Sequence, residues 1–152
     1  MTRWHMHHFH ELSPEQVYLL MQLRQDVFVV EQKCAFADLD GNDFLSHHLS
    51  AWRDDRPVAY LRIVPPEVHH SGCPSLGRIC TALHLRRTGL GRELVKRGLD
   101  LVTENWPGKD CQIGAQSYLL RFYESFGFII NGDAYLEDDI PHFPMRRRSV
   151  SP

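Results

Sequence analysis

A chain of 152 residues can bury the core of one domain, and 43% hydrophobic with 24% charged residues excludes global disorder. A formal net charge of −2 argues against nucleic acid as a partner, and no apolar run reaches membrane-spanning length. The opening Met1-Thr2-Arg3-Trp4 lacks the apolar core of a signal peptide, and Cys34, Cys73, Cys80 and Cys111 show no C-x-x-C spacing, so a cytoplasmic protein with reduced thiols is expected, one bridge staying open.

Residues 3–10 alternate loosely, with Trp4, Met6 and His8 on one side, which predicts a first strand at an edge. His5, His7, His8 and His10 read as a polar strand face rather than a metal site, because no carboxylate or cysteine stands at ligand spacing beside them. Ser13-Pro14-Glu15-Gln16 starts a helix, with Ser13 as N-cap, Pro14 at N1 and Gln16 closing a capping box. That helix is expected to run to about Phe28. Arg24 on or beside its inner face reads either as a snorkelling side chain or as a buried partner for one of the acids that follow.

Residues 31–48 form a long acid-rich connection. Its Asp38-Leu39-Asp40-Gly41-Asn42-Asp43 fails as a calcium loop: the glycine is fourth rather than sixth, and position twelve is Leu49 rather than Glu. A loop this long in one domain points to function. Strands are expected at 49–52 and 58–64 around the turn 53–57, and at 75–83 after a Pro-, Gly- and His-rich connection over 65–74. A helix then runs to about Trp106, a short strand follows at 111–115, a short helix at 118–126 stopped by Gly127, and strands at 128–130 and about 143–147. Arg146-Arg147-Arg148 and Ser149 onward read as a frayed tail.

Arg86-Arg87-Thr88-Gly89-Leu90-Gly91-Arg92 joins the strand at 75–83 to the helix after it. A helix N-terminus presents unpaired N–H groups and partial positive charge, and glycine allows close approach to that backbone, so the stretch reads as a phosphate cradle. It is not a dinucleotide fingerprint, since Leu94 stands where the third glycine belongs. Nor is it an NTP loop, since Gly-Lys-Ser/Thr is absent.

Arg86-x-x-Gly89-x-Gly91, with Phe122-Tyr123-Glu124-Ser125-Phe126-Gly127-Phe128 beyond the next helix, resembles the GNAT superfamily of acetyl-CoA-dependent N-acyltransferases. Leu23-Arg24, Val27 to Gln32, Asp40-Gly41, His48-Leu49, Gly77-Arg78-Ile79, Gly114-Ala115-Gln116 and Glu137 to His142 look like its ElaA-type branch, over about residues 11–146. The resemblance implies an α/β (α+β) fold: a mixed, mostly antiparallel sheet, helices on both faces, and a splayed parallel strand pair holding the cofactor. By the same resemblance, the backbone of Arg86, Arg87, Thr88, Gly89, Leu90, Gly91 and Arg92 would bind the pyrophosphate of acetyl-CoA. Ile79, Cys80 and Thr81 would pair with the pantetheine amides, and Gln116 would stand where many members place asparagine. Tyr123 would give a proton to the leaving thiolate, a task suited to a phenol that stays protonated at neutral pH.

A primary amine acceptor also needs a base. Glu31 and His48 are the candidates, with Asp40 third, although Glu31 could equally pair with Arg24. The acidic loop suits a cationic amine, and Pro141-His142 would close that side of the site by resemblance. The expectation is a single-domain enzyme moving acetyl from acetyl-CoA to a small-molecule or protein amine by direct attack, without metal, a homodimer staying open. The rivals are a non-catalytic acyl-CoA-binding module and a histidine-rich metal-binding protein.

Overall fold

The computed structural model describes residues 1–68 and 72–149. It begins with strand β1 (Arg3–His8), then helix α1 (Pro14–Gln25), capped as expected: Ser13 Oγ accepts from Gln16 N and the Gln16 side chain accepts from Ser13 N. The helix does not stop at Phe28. It widens into a π-helical turn over Asp26–Glu31, with i→i+5 bonds from Gln32 N to Val27 O and from Cys34 N to Val29 O. Such turns carry an extra residue and re-aim the side chains around them. Next come β2 (His47–Arg53), β3 (Arg56–Val64), β4 (Ser75–Thr81), α2 (Leu90–Asn105), β5 (Cys111–Gln116), α3 (Leu120–Glu124), β6 (Ile129–Ile130), β7 (Tyr135–Glu137) and β8 (Ile140–Arg147). His69, His70 and Ser71 of the connection before β4, and positions 150–152 of the tail, lie outside the described residues.

Two expectations change. The sequence reading omits β7, which pairs with β8 through a two-residue turn at Asp138-Asp139, both at positive φ (51° and 61°). The arginines at 146 and 147, read both as the end of the last strand and as the start of a tail, belong to the strand. They lie in β8, where Arg146 Nε meets Asp110 at 2.9 Å and Arg147 Nε donates to Phe126 O at 2.7 Å.

The strands make one sheet in the order β1-β2-β3-β4-β5-β8-β6, with β7 on β8. All the pairs are antiparallel except β4–β5. Central β3 is buried from Pro57 to Val64, so it has a core on each face. On one face Leu61 and Ile63 meet Leu94, Val95, Leu99 and Val102 of α2. Gly98 permits this approach, since a Cβ there would sit 2.9 Å from Leu61. On the other face Tyr60, Trp52 and Cys80 meet Leu20, Leu23 and Val27 of α1 and its π-helical turn.

Beside that second core lies a closed ring of alternating charge. Arg24 (α1) binds Asp38 at 2.9 Å and Asp43 at 2.7 Å. Arg62 (β3) binds Asp43 at 3.1 Å and Asp40 at 2.5 Å. Arg78 (β4) completes it, to Asp38 at 2.8 Å and Asp40 at 3.5 Å. Arg24 is the buried partner that its position allowed, with 0% exposure. Burial alone would raise the carboxyls of Asp40 and Asp43. Hydrogen bonds from Arg62 and Arg24 outweigh it and hold both below the usual carboxylate range. Because their folded values lie below the unfolded ones, these acids stabilise the fold above about pH 4, and the contribution is lost as pH falls through the folded values. Replacing Arg24 by Met should cost about 3–5 kcal/mol in urea denaturation at neutral pH and make stability less sensitive to acid. A loss under about 1 kcal/mol would mean the ring does not support the loop.

Candidate active site

β4 and β5 part almost as soon as they meet. Their ladder has one register pair, Ser75 with Gln112, beside the bond from Gln112 N to Pro74 O at 3.0 Å. Beyond it, the β5-facing edge of β4 leaves backbone N–H and C=O groups without strand partners. A bulge helps to turn β4 away: Cys80 pairs with Tyr60 and Gly77 with Arg62, so Arg78 and Ile79 together oppose Leu61. Arg78 takes a left-handed φ of 51°, unfavourable for a side chain with Cβ, and its guanidinium is held in the charge ring.

The gap opens into a cavity of about 870 Å³. Its walls are the π-helical turn, the acid loop, β4 with the start of α2, β5 with α3, and the β7–β8 hairpin. Ile79, Cys80, Thr81, Arg86, Gly91, Gln116 and Tyr123 of the expected cofactor residues line it, and so does Glu31. The Cys80 side chain packs into the second core, where burial pushes its thiol up to about 12, a structural rather than nucleophilic position.

Where β4 runs on toward α2, Arg87 (φ 62°) and Gly89 (φ 88°) make a left-handed approach to the helix. Gly89 is the N-cap, with no side-chain cap, and nothing stands within 4 Å of where its Cβ would be. The first helical bond runs from Glu93 N to Gly89 O at 3.1 Å, leaving the N–H groups of Leu90, Gly91 and Arg92 outside the helical ladder. This is the geometry of an anion cradle. The arginines beside it differ. Arg86 is chelated by both carboxylate oxygens of Glu31. Arg92 lies over the rings of Phe122 (5.5 Å) and Phe126 (5.0 Å) and donates to Ser125 Oγ at 3.1 Å. Arg87 is exposed and makes no ion pair among the described residues. Thr88 closes the turn, its Oγ1 donating to Leu85 O at 2.5 Å.

Tyr123 comes from α3, its ring wedged against Phe122 and Phe128 (centroids 5.1 and 6.1 Å). It is 6% exposed, and its hydroxyl meets no hydrogen-bond partner among the described residues. Burial pushes the phenol well above its ordinary value, so it is protonated at neutral pH and has a proton to give.

The two candidate bases are placed differently. Glu31 pairs with Arg86, not Arg24, and that hydrogen bond holds its carboxyl below the usual range. His48 lines no part of the cavity and is buried between Asp43 O (Nε2, 2.9 Å) and Tyr60 Oη (Nδ1, 2.6 Å). A carbonyl only accepts, so Nε2 donates and Nδ1 accepts from the tyrosine, leaving neither nitrogen for a substrate. Burial lowers His48 below its ordinary value, consistent with a neutral ring. Asp40 is committed to Arg62 and Arg78. The acid loop is therefore largely neutralised before any ligand arrives. The sequence reading gave no role to Tyr135 and Glu137 of the hairpin, which line the cavity; His142, expected with Pro141 to close that side of the site, lines it with them. The signal was an Asp-Asp pair between short apolar stretches, without the glycine that usually marks such a turn.

Among the described residues no group of three or more His, Cys, Asp or Glu is placed to hold a metal ion, and no disulfide forms. No helix there is long and apolar enough to cross a membrane.

The splayed parallel pair leaves an open strand edge beside a glycine-capped helix start, and comparison with known proteins identifies the family that this arrangement belongs to. Residues 11–149 match the model of the acetyltransferase (GNAT) domain, and the chain belongs to that family. Protein ElaA of Escherichia coli is 40% identical over 152 residues, covering 99% of both chains. Its crystal structure superposes with a TM-score of 0.91 over 97% of this chain and all of its own. An acyl-CoA N-acyltransferase from Pseudomonas aeruginosa, also 40% identical, superposes with a TM-score of 0.93 over 97% of this chain and 99% of its own.

Proposed function

We propose that this protein transfers an acetyl group from acetyl-CoA to a primary amine by direct attack of the amine on the thioester. The observation that carries the reading is one shared cavity: Ile79 to Thr81 of β4, Gly91 at the start of α2 beside the Gly89 cap, and Tyr123 of α3 all line it. The residues present fit the cofactor. The cradle is open at Gly89, where nothing stands within 4 Å, and the edge of β4 has backbone groups for amides to pair with as an added strand would. On this reading the N–H groups of Leu90, Gly91 and Arg92 hold the pyrophosphate, with Arg87 the exposed cation beside them. Ile79 and Thr81 lie along the pantetheine, and Gln116 faces it from β5. Tyr123 protonates the departing sulfur. A cytoplasmic setting agrees with the composition and with thiols such as Cys80 and Cys111 kept in the core.

Acetyl-CoA turnover against a panel of primary amines (an alkyl amine, a diamine, an amino-acid ester, an aminoglycoside and a lysine peptide) tests the reading. Tyr123→Phe should lower kcat about 10²-fold or more while CoA affinity by calorimetry stays near wild type. CoA binding without turnover on any amine would favour a non-catalytic acyl-CoA-binding module. Gly89→Val, which forces a β-branched residue to φ 88°, should weaken CoA binding about tenfold or more without unfolding the protein. Unchanged affinity in the folded variant would place the pyrophosphate elsewhere.

A further inference from the structure

An amine that is mostly protonated at neutral pH must lose a proton before it can attack; His48 lies outside the cavity, and Glu31, which lines it, has both oxygens on Arg86. We infer that His142 is the general base of this site, with Glu137 as its positioning partner; the inference rests on the acetyl-transfer reading above.

The β7–β8 hairpin builds this pair. The turn at Asp138-Asp139 fixes the register so that Tyr135 opposes His142 and Glu137 opposes Ile140. Opposed residues share a face, and all four side chains line the cavity. On its other side β8 pairs with β5, where His142 lies opposite Gln116, at the end of β5 that has parted from β4. The imidazole is therefore held at the open mouth of the splay, where a thioester threaded along β4 would emerge.

The ring's tautomer follows from its partners. Nδ1 is 2.7 Å from Ile140 O, which can only accept, so Nδ1 carries the hydrogen. In the neutral ring Nε2 keeps its lone pair. Nε2 stands 3.3 Å from Oε2 of Glu137, whose half-exposed side chain has room to swing aside and admit an amine to that lone pair, then return to pair with the imidazolium, a freedom that the two partners of buried His48 lack. Tyr135 stacks on the ring (centroids 5.6 Å, planes 26° apart) and fixes its plane. His142 is itself 7% exposed and Glu137 53%, which gives the proton a way out. No other histidine is among the described lining residues. The groups facing His142 are Glu137 and Tyr135 from β7 and the uncharged Gln116 from β5. Asp138 stands at the hairpin tip, and the acids of the opposite wall are paired with arginines.

The proton balance closes. His142 Nε2 takes one proton from R–NH₃⁺ and passes it to solvent beside Glu137. The freed lone pair forms the C–N bond at the thioester carbonyl, and the C–S bond breaks with its electrons on sulfur. Tyr123 gives sulfur a proton. The second proton lost by nitrogen restores Tyr123, so the products are the amide, CoA thiol and one released proton.

The test measures kcat and kcat/KM for the panel's fastest amine from about pH 6 to about pH 9.5 in wild type, His142→Gln, Glu137→Gln and Glu137→Asp, with CoA affinity by calorimetry. His142→Gln should bind CoA normally and lose about 10²-fold in kcat/KM near pH 7. The deficit should shrink as rising pH deprotonates the amine itself. Glu137→Gln should lower kcat for that amine about tenfold near pH 7 with CoA affinity unchanged, and Glu137→Asp should restore part of the loss. A deficit constant across pH, or no deficit, overturns the assignment. Full kcat in Glu137→Gln, or no recovery in Glu137→Asp, overturns the pairing, and that half-exposed position decides the matter should His142→Gln fail to fold. Turnover lost in Tyr123→Phe but intact in His142→Gln sinks only this inference. Wild type that turns over no amine sinks the acetyl-transfer reading and this inference with it.

Discussion

The ring of three arginines and three aspartates is the contact on which the rest of this molecule depends. Each arginine belongs to a different element, α1, β3 and β4, while all three aspartates come from one loop. A connection of this length would otherwise cost ordering entropy with little apolar burial to offset it. The ring fixes the loop at three points, and with it one wall of the cavity. It also holds Arg78 in the unfavourable conformation that bends β4 from β5. Buried ion pairs are poor sources of net stability, because desolvation offsets most of the attraction, but removing one member leaves an uncompensated charge. A closed ring in which every charge has two opposite neighbours keeps that liability small and fixes geometry more firmly than it adds stability.

Much of the fold was legible because local signals and global packing agree. Ser13-Pro14-Glu15-Gln16 reads as a helix start and is one, and Asp54-Asp55 was recognised as a turn because strong apolar strands flank it. Asp138-Asp139 has the same chemistry and nearly the same dihedrals, φ 51° and 61° against 49° and 60°. It was missed because Tyr135-Leu136-Glu137 is only three residues long and exposed, so no alternation announced it. The helix was ended too early, since periodicity of 3.6 fails where a π-helical turn adds a residue. Arg146 and Arg147 fell between two readings, the end of the last strand and a tail, because charge near a terminus suggests solvent. Their partners, Asp110 and the Phe126 carbonyl, are distant in sequence.

In the candidate site, the glycine loop and Tyr123 were readable from spacing and family resemblance, whereas the charged groups were not. A count of acids in residues 31–48 suggests a free negative surface. Their arginine partners at 24, 62, 78 and 86 are spread over much of the chain, and no local pattern shows which acid each one neutralises. His48 shows the same limit. Its position in the chain suited a catalytic role, but its two hydrogen bonds tie α1's core to the loop instead.

The stacking of Arg92 on Phe122 and Phe126, with its bond to Ser125, joins the start of α2 to α3. The glycine loop and Tyr123 thus ride on one mechanical unit, while the π-helical turn, the acid loop and the β7–β8 hairpin make the facing wall. Drift on that facing wall can reshape the space around an incoming molecule without disturbing the unit that carries the loop and the tyrosine. The hairpin is the cheapest place for such drift: it is short and exposed, and the charge ring does not include it. Within a lineage sharing this architecture, new preferences would accumulate at hairpin positions other than Tyr135, Glu137 and His142 sooner than in the loop, whose acids cannot change one at a time without stranding an arginine.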